Sequence, residues 1–327
     1  MTVRLAAVYA VLTLTSAVPM ADQARGQVMD LAPAPGLAGR FGGMAVTDVG
    51  SGPAIVIVPG LLGATFGFRK VIGELAAAGH RVIVVEPLGT GSSDRPEGAD
   101  YSLTAQADRI GAVLDTLGVR EAVVVGHALG GAMVYRLAYR RPELVRAVVS
   151  INGPPAERAG TPGLGFALRF APVMKIFGGA DRARRKIRDG LVESSADPAW
   201  VTDEVLDGYT VPFAADLSGT MRALRAMGSA REPEPLEPNL PRIGAPVCLL
   251  YGAAPEGGAL KTEEIERLGR LIPRFGAVRV EGAGQYIQEE RPEEVVAAVR
   301  SLATLATADG DEGPEPACAC AHACGSG

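Results

Sequence analysis

Gly126-His127-Ala128-Leu129-Gly130-Gly131 is the stretch that decides the fold. Before it, Ala122-Val123-Val124-Val125 is a short, continuously apolar run, the pattern of a buried strand. After it, Ala132 to Tyr139 reads as a helix. The chain must therefore turn sharply from strand to helix within a few residues. Gly126, Gly130 and Gly131 lack the Cβ atoms that would obstruct such a turn.

The same alternation extends outward in both directions. Met44 to Val49 and Ala54 to Val58 read as strands joined by the turn Gly50-Ser51-Gly52-Pro53. A helix is predicted through Val71 to Ala78 and a buried strand over Arg81 to Val85. Ser102 then caps a helix whose apolar face carries Ile110, Val113, Leu114 and Leu117. Ala147 to Ile151 is a strand. From Pro154 to Pro241 the rhythm gives way to Pro, Gly and charge, with helical patterns near Phe166 to Ile176 and Leu217 to Met227. It resumes with a strand over Val247 to Tyr251, a helix over Thr262 to Leu271, a strand near Val278 to Val280 and a helix over Glu293 to Leu305. Strands alternating with helices predict an α/β domain over residues 44–305, a doubly wound, mostly parallel sheet with a helical lid inserted at about 154–241.

Composition agrees with a folded domain of ordinary chemistry. The chain has 327 residues, 47% hydrophobic and 21% charged, enough for a sizeable core. A net charge of -5 gives no footprint for nucleic acid. At the start, Arg4 precedes the apolar run Leu5 to Val18 and the small-residue site near Ala21, so residues 1–21 read as an export signal and the protein as periplasmic or extracellular. Residues 22–43 read as a linker, and no later segment is long and apolar enough to cross a bilayer.

The glycine turn resembles the nucleophile elbow of the α/β-hydrolase-fold superfamily, G-x-S-x-G between a strand and a helix. The resemblance runs across Met44 to Leu305. Pro59-Gly60-Leu61-Leu62-Gly63 resembles the family's oxyanion-side loop, and Gly89-Thr90-Gly91-Ser92-Ser93 the loop after the next strand. Gly282-Ala283-Gly284-Gln285-Tyr286 resembles the loop that carries the catalytic histidine.

At each chemical position the resemblance breaks. The nucleophile position is Ala128, whose methyl group attacks nothing. The histidine position is Gln285, which accepts no proton at neutral pH. Where the acid is expected stands Ala253-Ala254-Pro255-Glu256, with Pro255 at the degenerate position and Glu256 as a displaced acid that would have no histidine to orient. The family's alternative acid position, after Ile151, holds Asn152. Of the three histidines, His80 is placed at the opposite end of the sheet, His127 is the x of the elbow, and His322 is in the tail. A site stripped of nucleophile and base retains at most about 10³–10⁴-fold over water.

These residues lead to the expectation of a non-catalytic member of the family that binds a small apolar ligand or a protein partner. Leu61 and Leu129, through their backbone N–H groups, and the lid residues Phe166 and Phe170 are the expected pocket. The competing expectation is a hydrolase or lyase with relocated catalytic groups. A basic run, Arg182 to Arg188, reads as a solvated helix face.

A third expectation concerns residues 306–327, read as a disordered acidic tail. Cys318, Cys320, His322 and Cys324 place four metal-ligating side chains within seven residues, a candidate Zn²⁺ or Cu(I) site. Alternate side chains of an extended chain lie about 6.5–7 Å apart, so the tail would have to curl around the ion. The alternating Cys-Ala pattern also suits a tail-modifying enzyme, with the folded domain as carrier, and an oxidising compartment would favour a disulfide. Cys248, in a buried strand, is read as an improbable partner for it.

Overall fold

The computed structural model describes residues 27–29, 43–159, 179–252 and 260–305. Its centre is an eight-stranded sheet in the order β1-β2-β4-β3-β5-β6-β7-β8. The strands are β1 (Gln27–Met29), β2 (Met44–Val49), β3 (Ala54–Val58), β4 (Arg81–Val85), β5 (Ala122–His127), β6 (Val145–Ile151), β7 (Val247–Gly252) and β8 (Phe275–Val280). The pairs β1–β2 and β2–β4 are antiparallel. Every pairing from β4 through β3, β5, β6 and β7 to β8 is parallel.

Because strand side chains alternate between faces, the apolar runs feed two separate layers. Val56, Val58, Ile83, Val85 and Val124 face one layer, with Ile110 and Leu114 of α2 (Leu103–Thr116) and Met133 and Leu137 of α3 (Leu129–Arg140). Ile55, Ile57, Val82, Val84 and Val123 face the other, with Val71 and Leu75 of α1 (Arg69–Ala77) and Val295, Val299 and Leu302 of the C-terminal helix, Pro292–Leu305. Helices cover both faces, as expected of a doubly wound sheet. Ser102 caps α2 as its sequence indicates, accepting from the Ala105 N–H.

Between β6 and β7 the chain forms α4 (Gly179–Glu193), α5 (Asp203–Ala215) and α6 (Leu217–Ser229). The basic run falls on α4, where Arg184 bonds Asp207 at 2.7 Å and Asp203 at 3.2 Å, and Arg188 pairs with Asp203. Beyond β7 come α7 (Thr262–Leu271), α8 (Ile287–Glu290) and α9 (Pro292–Leu305).

Some expectations require adjustment. The stretch read wholly as linker contributes the edge strand β1, paired to β2. β8 begins at Phe275 rather than Val278 because its first residues pair with β7 from Val247 onward. Cys248 is buried in β7 as expected, yet it is disulfide-bonded, with its partner outside the described residues. It belongs to the apolar layer that α9 covers. Phe166, Phe170, Pro255, Glu256 and the tail ligands Cys318, Cys320, His322 and Cys324 lie outside the described residues, as do the segments read as export signal and tail.

Candidate functional site

The carboxyl ends of β3 to β8 gather the loops singled out in the sequence. At the end of β5 the chain reverses at Ala128, with φ 49° and ψ -117°, and α3 begins at Leu129. The turn is held by Ala128 N–H donating to the Ile151 oxygen and Gly131 N–H donating to the Ala128 oxygen, both at 2.9 Å. A Cβ on Gly130 would come within 2.2 Å of the Val58 oxygen, and one on Gly126 within 2.6 Å of the Gly130 oxygen. The glycines are thus required by close backbone approach. Ala128 does not share their freedom: a side-chain-bearing residue in such a conformation costs about 1–3 kcal/mol. The elbow geometry is present, and its apex is a partly exposed methyl group.

The loop after β3 lies directly over this turn. A Cβ on Gly60 would be 3.4 Å from the Ala128 Cβ. Leu129 is the first residue of α3, so its N–H has no acceptor within the helix. Its side chain is buried in the apolar layer with Val58, Met133 and Leu137, and it is not among the residues that line the cleft beside the turn. The loop after β3 is tied to the loop after β4 by buried Glu86. Glu86 Oε1 accepts from Thr65 N–H (2.9 Å) and Thr65 Oγ1 (2.7 Å), and Oε2 accepts from Ser92 N–H (2.6 Å).

Gln285 follows β8, and its backbone is fixed from three sides. Its carbonyl oxygen accepts from Asn152 Nδ2 (3.1 Å) and bonds His127 Nε2 (3.0 Å), and its N–H donates to the Ser194 oxygen (2.7 Å). Its side-chain Oε1 is buried without a hydrogen-bond partner. Asn152, in the left-handed region at φ 45°, also donates to the Gly284 oxygen and accepts from Gly252 N–H. Asn152 therefore acts as a strut between β6, β7 and the 284–285 loop rather than as an acid. Glu290 adds a second strut, accepting from Gly284 N–H (2.6 Å) and Ala196 N–H (3.1 Å). Burial is the main influence on its carboxyl, holding the pKa above the usual value.

His127 is poorly suited to act as a general base. It is fully buried, and desolvation pushes its pKa down to about 4, outweighing the hydrogen bond to Gln285. Because the Gln285 carbonyl only accepts, Nε2 must carry the ring proton. The ring is wedged between Phe68 (centroids 6.3 Å apart) and Tyr286 (5.5 Å). His80 precedes β4 at the opposite end of the sheet, as read.

A cleft opens beside the elbow. Leu61, Leu62 and Ala64 form one wall, Gly89, Gly91 and Arg95 a second, and Tyr209, Pro212, Thr220 and Leu224 of α5 and α6 the third. Neither Ala128 nor Gln285 lines it. Leu61, whose backbone N–H is expected from the sequence to face a pocket, is one of the residues on the wall of this cleft. Sequence reasoning missed Tyr209, whose ring lies on a glycine floor: a Cβ on Gly63 would sit 2.7 Å from it. Tyr209 packs on Trp200 (5.8 Å) and Tyr286 (6.0 Å), and its hydroxyl donates to Glu289 (3.1 Å). The pair Gly208-Tyr209 offered no periodic signal, and Pro212 inside α5 obscured the helix. Among the described residues no cluster of three or more His, Cys, Asp or Glu could hold a metal.

Known proteins share this arrangement. The profile described as alpha/beta hydrolase fold matches residues 53–169. Bifunctional epoxide hydrolase 2 of Sus scrofa is 42% identical over 108 residues, a match that covers 33% of this chain and 20% of that protein. The chain thus spans only about a fifth of that relative's length. The "Putative carbamate hydrolase RutD" of Stutzerimonas stutzeri is 30% identical over 198 residues, covering 61% of this chain and 72% of the relative. An alpha/beta hydrolase fold protein from Burkholderia ambifaria superposes with a TM-score of 0.67 at 26% identity, over 84% of this chain and 98% of that one. Sheet order, strand-to-helix turn and sequence similarity together place the chain in the α/β-hydrolase-fold family.

Proposed function

We propose that this member of the family works by binding a small apolar molecule in the cleft beside the elbow, without forming a covalent intermediate at residue 128. The observation that carries this reading is the residue at the apex of the turn. Ala128 keeps the costly backbone conformation of a nucleophile position but carries no atom that can attack. Among the described residues, the imidazole beside the turn is that of His127, a buried, neutral spacer whose outer nitrogen is committed to Gln285. What remains is a small recess with apolar walls and a few polar groups, about 10 Å³ in the structure as it stands, which must widen to admit a ligand.

Hydrolysis is the second reading, favoured by the names of the relatives, which include an epoxide hydrolase and a putative carbamate hydrolase. It requires catalytic groups displaced from the elbow, and Glu256 is the acid that the sequence offers for this role.

Turnover separates the two. The full chain is incubated with p-nitrophenyl acetate, p-nitrophenyl butyrate and styrene oxide, and product release is followed from the first seconds. Under the binding reading there is no burst, and Ala128→Ser alone stays silent, because a serine hydroxyl without a base is a weak nucleophile at pH 7. A burst from the unmodified protein overturns that reading. Turnover that disappears in Glu256→Ala establishes the hydrolase.

A further inference from the structure

Cys248, the second residue of β7, is buried and disulfide-bonded. The chain has four cysteines, and the other three, Cys318, Cys320 and Cys324, all lie beyond α9. Within the chain, the partner of Cys248 is therefore one of these three. The surroundings of Cys248 suit such a partner. It faces the apolar layer of Val149, Leu250, Val299 and Leu302. Its inner neighbour across the sheet is Val149 of β6, and its outer neighbour is Gly276 of β8. Residues paired across adjacent strands point to the same face, so Gly276 leaves the outer flank of Cys248 without a side chain. β8 is the last strand of the sheet, which puts that flank at its edge. α9 brings the chain to the same place. It starts beyond the carboxyl end of β8 and packs on the sheet through Val295, Val299 and Leu302. At about 1.5 Å per residue, its 14 residues run about 21 Å back along the strands, toward the end of the sheet where Cys248 stands. The stretch from Leu305 to Cys318 spans up to about 40 Å when extended, so the tail cysteines reach this position.

We propose that a disulfide between Cys248 and one tail cysteine fastens the C-terminal tail to the sheet as a redox-released strap, closed when oxidised and freed by a dithiol. The inference is independent of the cleft and of what it binds. The bond closes a loop of about 70 residues, which removes conformations from the unfolded chain and so favours the folded domain. Release is a thiol–disulfide exchange. The S–S bond breaks, two electrons and two protons pass from the dithiol, which closes to its own disulfide, and two cysteine thiols are left. While the strap is closed, one tail sulfur is engaged and two remain beside His322. Cys318, Cys320, His322 and Cys324 can therefore act together on one metal ion only after reduction.

Peptide mapping and melting test the strap together. Trypsin cuts after Arg242, Lys261 and Arg300, which puts Cys248 in peptide 243–261 and all three tail cysteines in peptide 301–327. The full chain, isolated without reductant, is alkylated with iodoacetamide in urea and digested. Mass spectrometry is expected to find the two peptides joined, and separate after dithiothreitol. The triple variant Cys318→Ser, Cys320→Ser, Cys324→Ser leaves the sheet untouched. It is expected to yield 243–261 alone, alkylated at Cys248, and to melt at least about 5 °C below the parent. The parent refolded in dithiothreitol is expected to melt with the variant. Recovery of 243–261 from the unreduced parent as a single alkylated peptide overturns the pairing, and so does its recovery joined to a second copy of itself. Equal melting temperatures for unreduced parent and triple variant overturn the strap.

Discussion

Asn152 Nδ2 donates to the backbone oxygen of Gln285 at 3.1 Å, joining the end of β6 to the loop after β8. Its second proton goes to Gly284, and its oxygen takes the Gly252 N–H. Every polar atom of a side chain only 2% exposed is thereby used. Asn152→Ala is expected to cost about 2–4 kcal/mol, since it strands the Gly252 N–H and removes a donor from two carbonyls. Asn152→Asp at neutral pH is expected to be at least as damaging, because a carboxylate donates nothing and faces the same oxygens. Urea unfolding of the two variants checks the order.

Ala128 permits a test with the opposite sign. Its φ of 49° lies where glycine is at ease and alanine is not. Ala128→Gly is expected to stabilise the protein by about 1 kcal/mol despite the added freedom of the unfolded chain. Ala128→Val, with a branched Cβ in the same conformation, is expected to destabilise. A lower Tm for Ala128→Gly than for the parent would show that the turn is not strained.

His127 predicts how stability depends on pH. Its pKa in the folded protein is about 4, below the ordinary 6.5, so the folded state binds fewer protons than the unfolded one. The stability it contributes is complete above pH 6.5 and is lost as pH falls toward 4. At about 1.4 kcal/mol per pH unit, the gap caps the loss at about 3 kcal/mol. His127→Gln keeps a side-chain donor but does not titrate, and it is expected to flatten the fall. The difference between parent and variant, measured by denaturant unfolding from pH 7.5 to 4, isolates this group from Glu290 and other carboxyls.

Glu289 anchors the helices over the site. Its carboxylate is inaccessible and meets Arg69, Lys70 (3.3 Å) and the Tyr209 hydroxyl. Glu289→Ala is expected to cost about 2–3 kcal/mol, because the partly solvated Arg69 and Lys70 and the buried Tyr209 hydroxyl lose their shared acceptor. Tyr209→Phe keeps the ring against Trp200 and Tyr286 and is expected to cost only about 1 kcal/mol. Thermal unfolding of both variants tests the ranking.

The sheet was legible in the sequence where both faces of a strand are covered. β3 begins and ends where its apolar run does, and β4 follows its run from Val82 to Val85 behind Arg81, since each run supplies both layers at once. β8 is legible only in part, because its first residues are half exposed and carry no continuous apolar signal. The turn at Ala128 was legible because its glycines answer to backbone contacts of nearly fixed geometry. The side chains that give the cleft its character were not. Arg95 and Tyr209 owe their roles to partners 125 and 80 residues away, Thr220 and Glu289, and no spacing within their own segments announces such pairings.

The loop at Gln285 is held entirely by its main chain: the carbonyl serves Asn152 and His127, the N–H serves Ser194, and the side-chain oxygen serves nothing. A position built this way is a socket whose plug can be exchanged without disturbing the wall. At Ala128 too the turn is enforced by its glycine neighbours, so an unbranched side chain can be exchanged there at little further cost. Lineages carrying this architecture could therefore gain or shed chemistry by drift at a handful of sites while selection on stability notices little. Shape and reactivity would then be inherited on separate schedules.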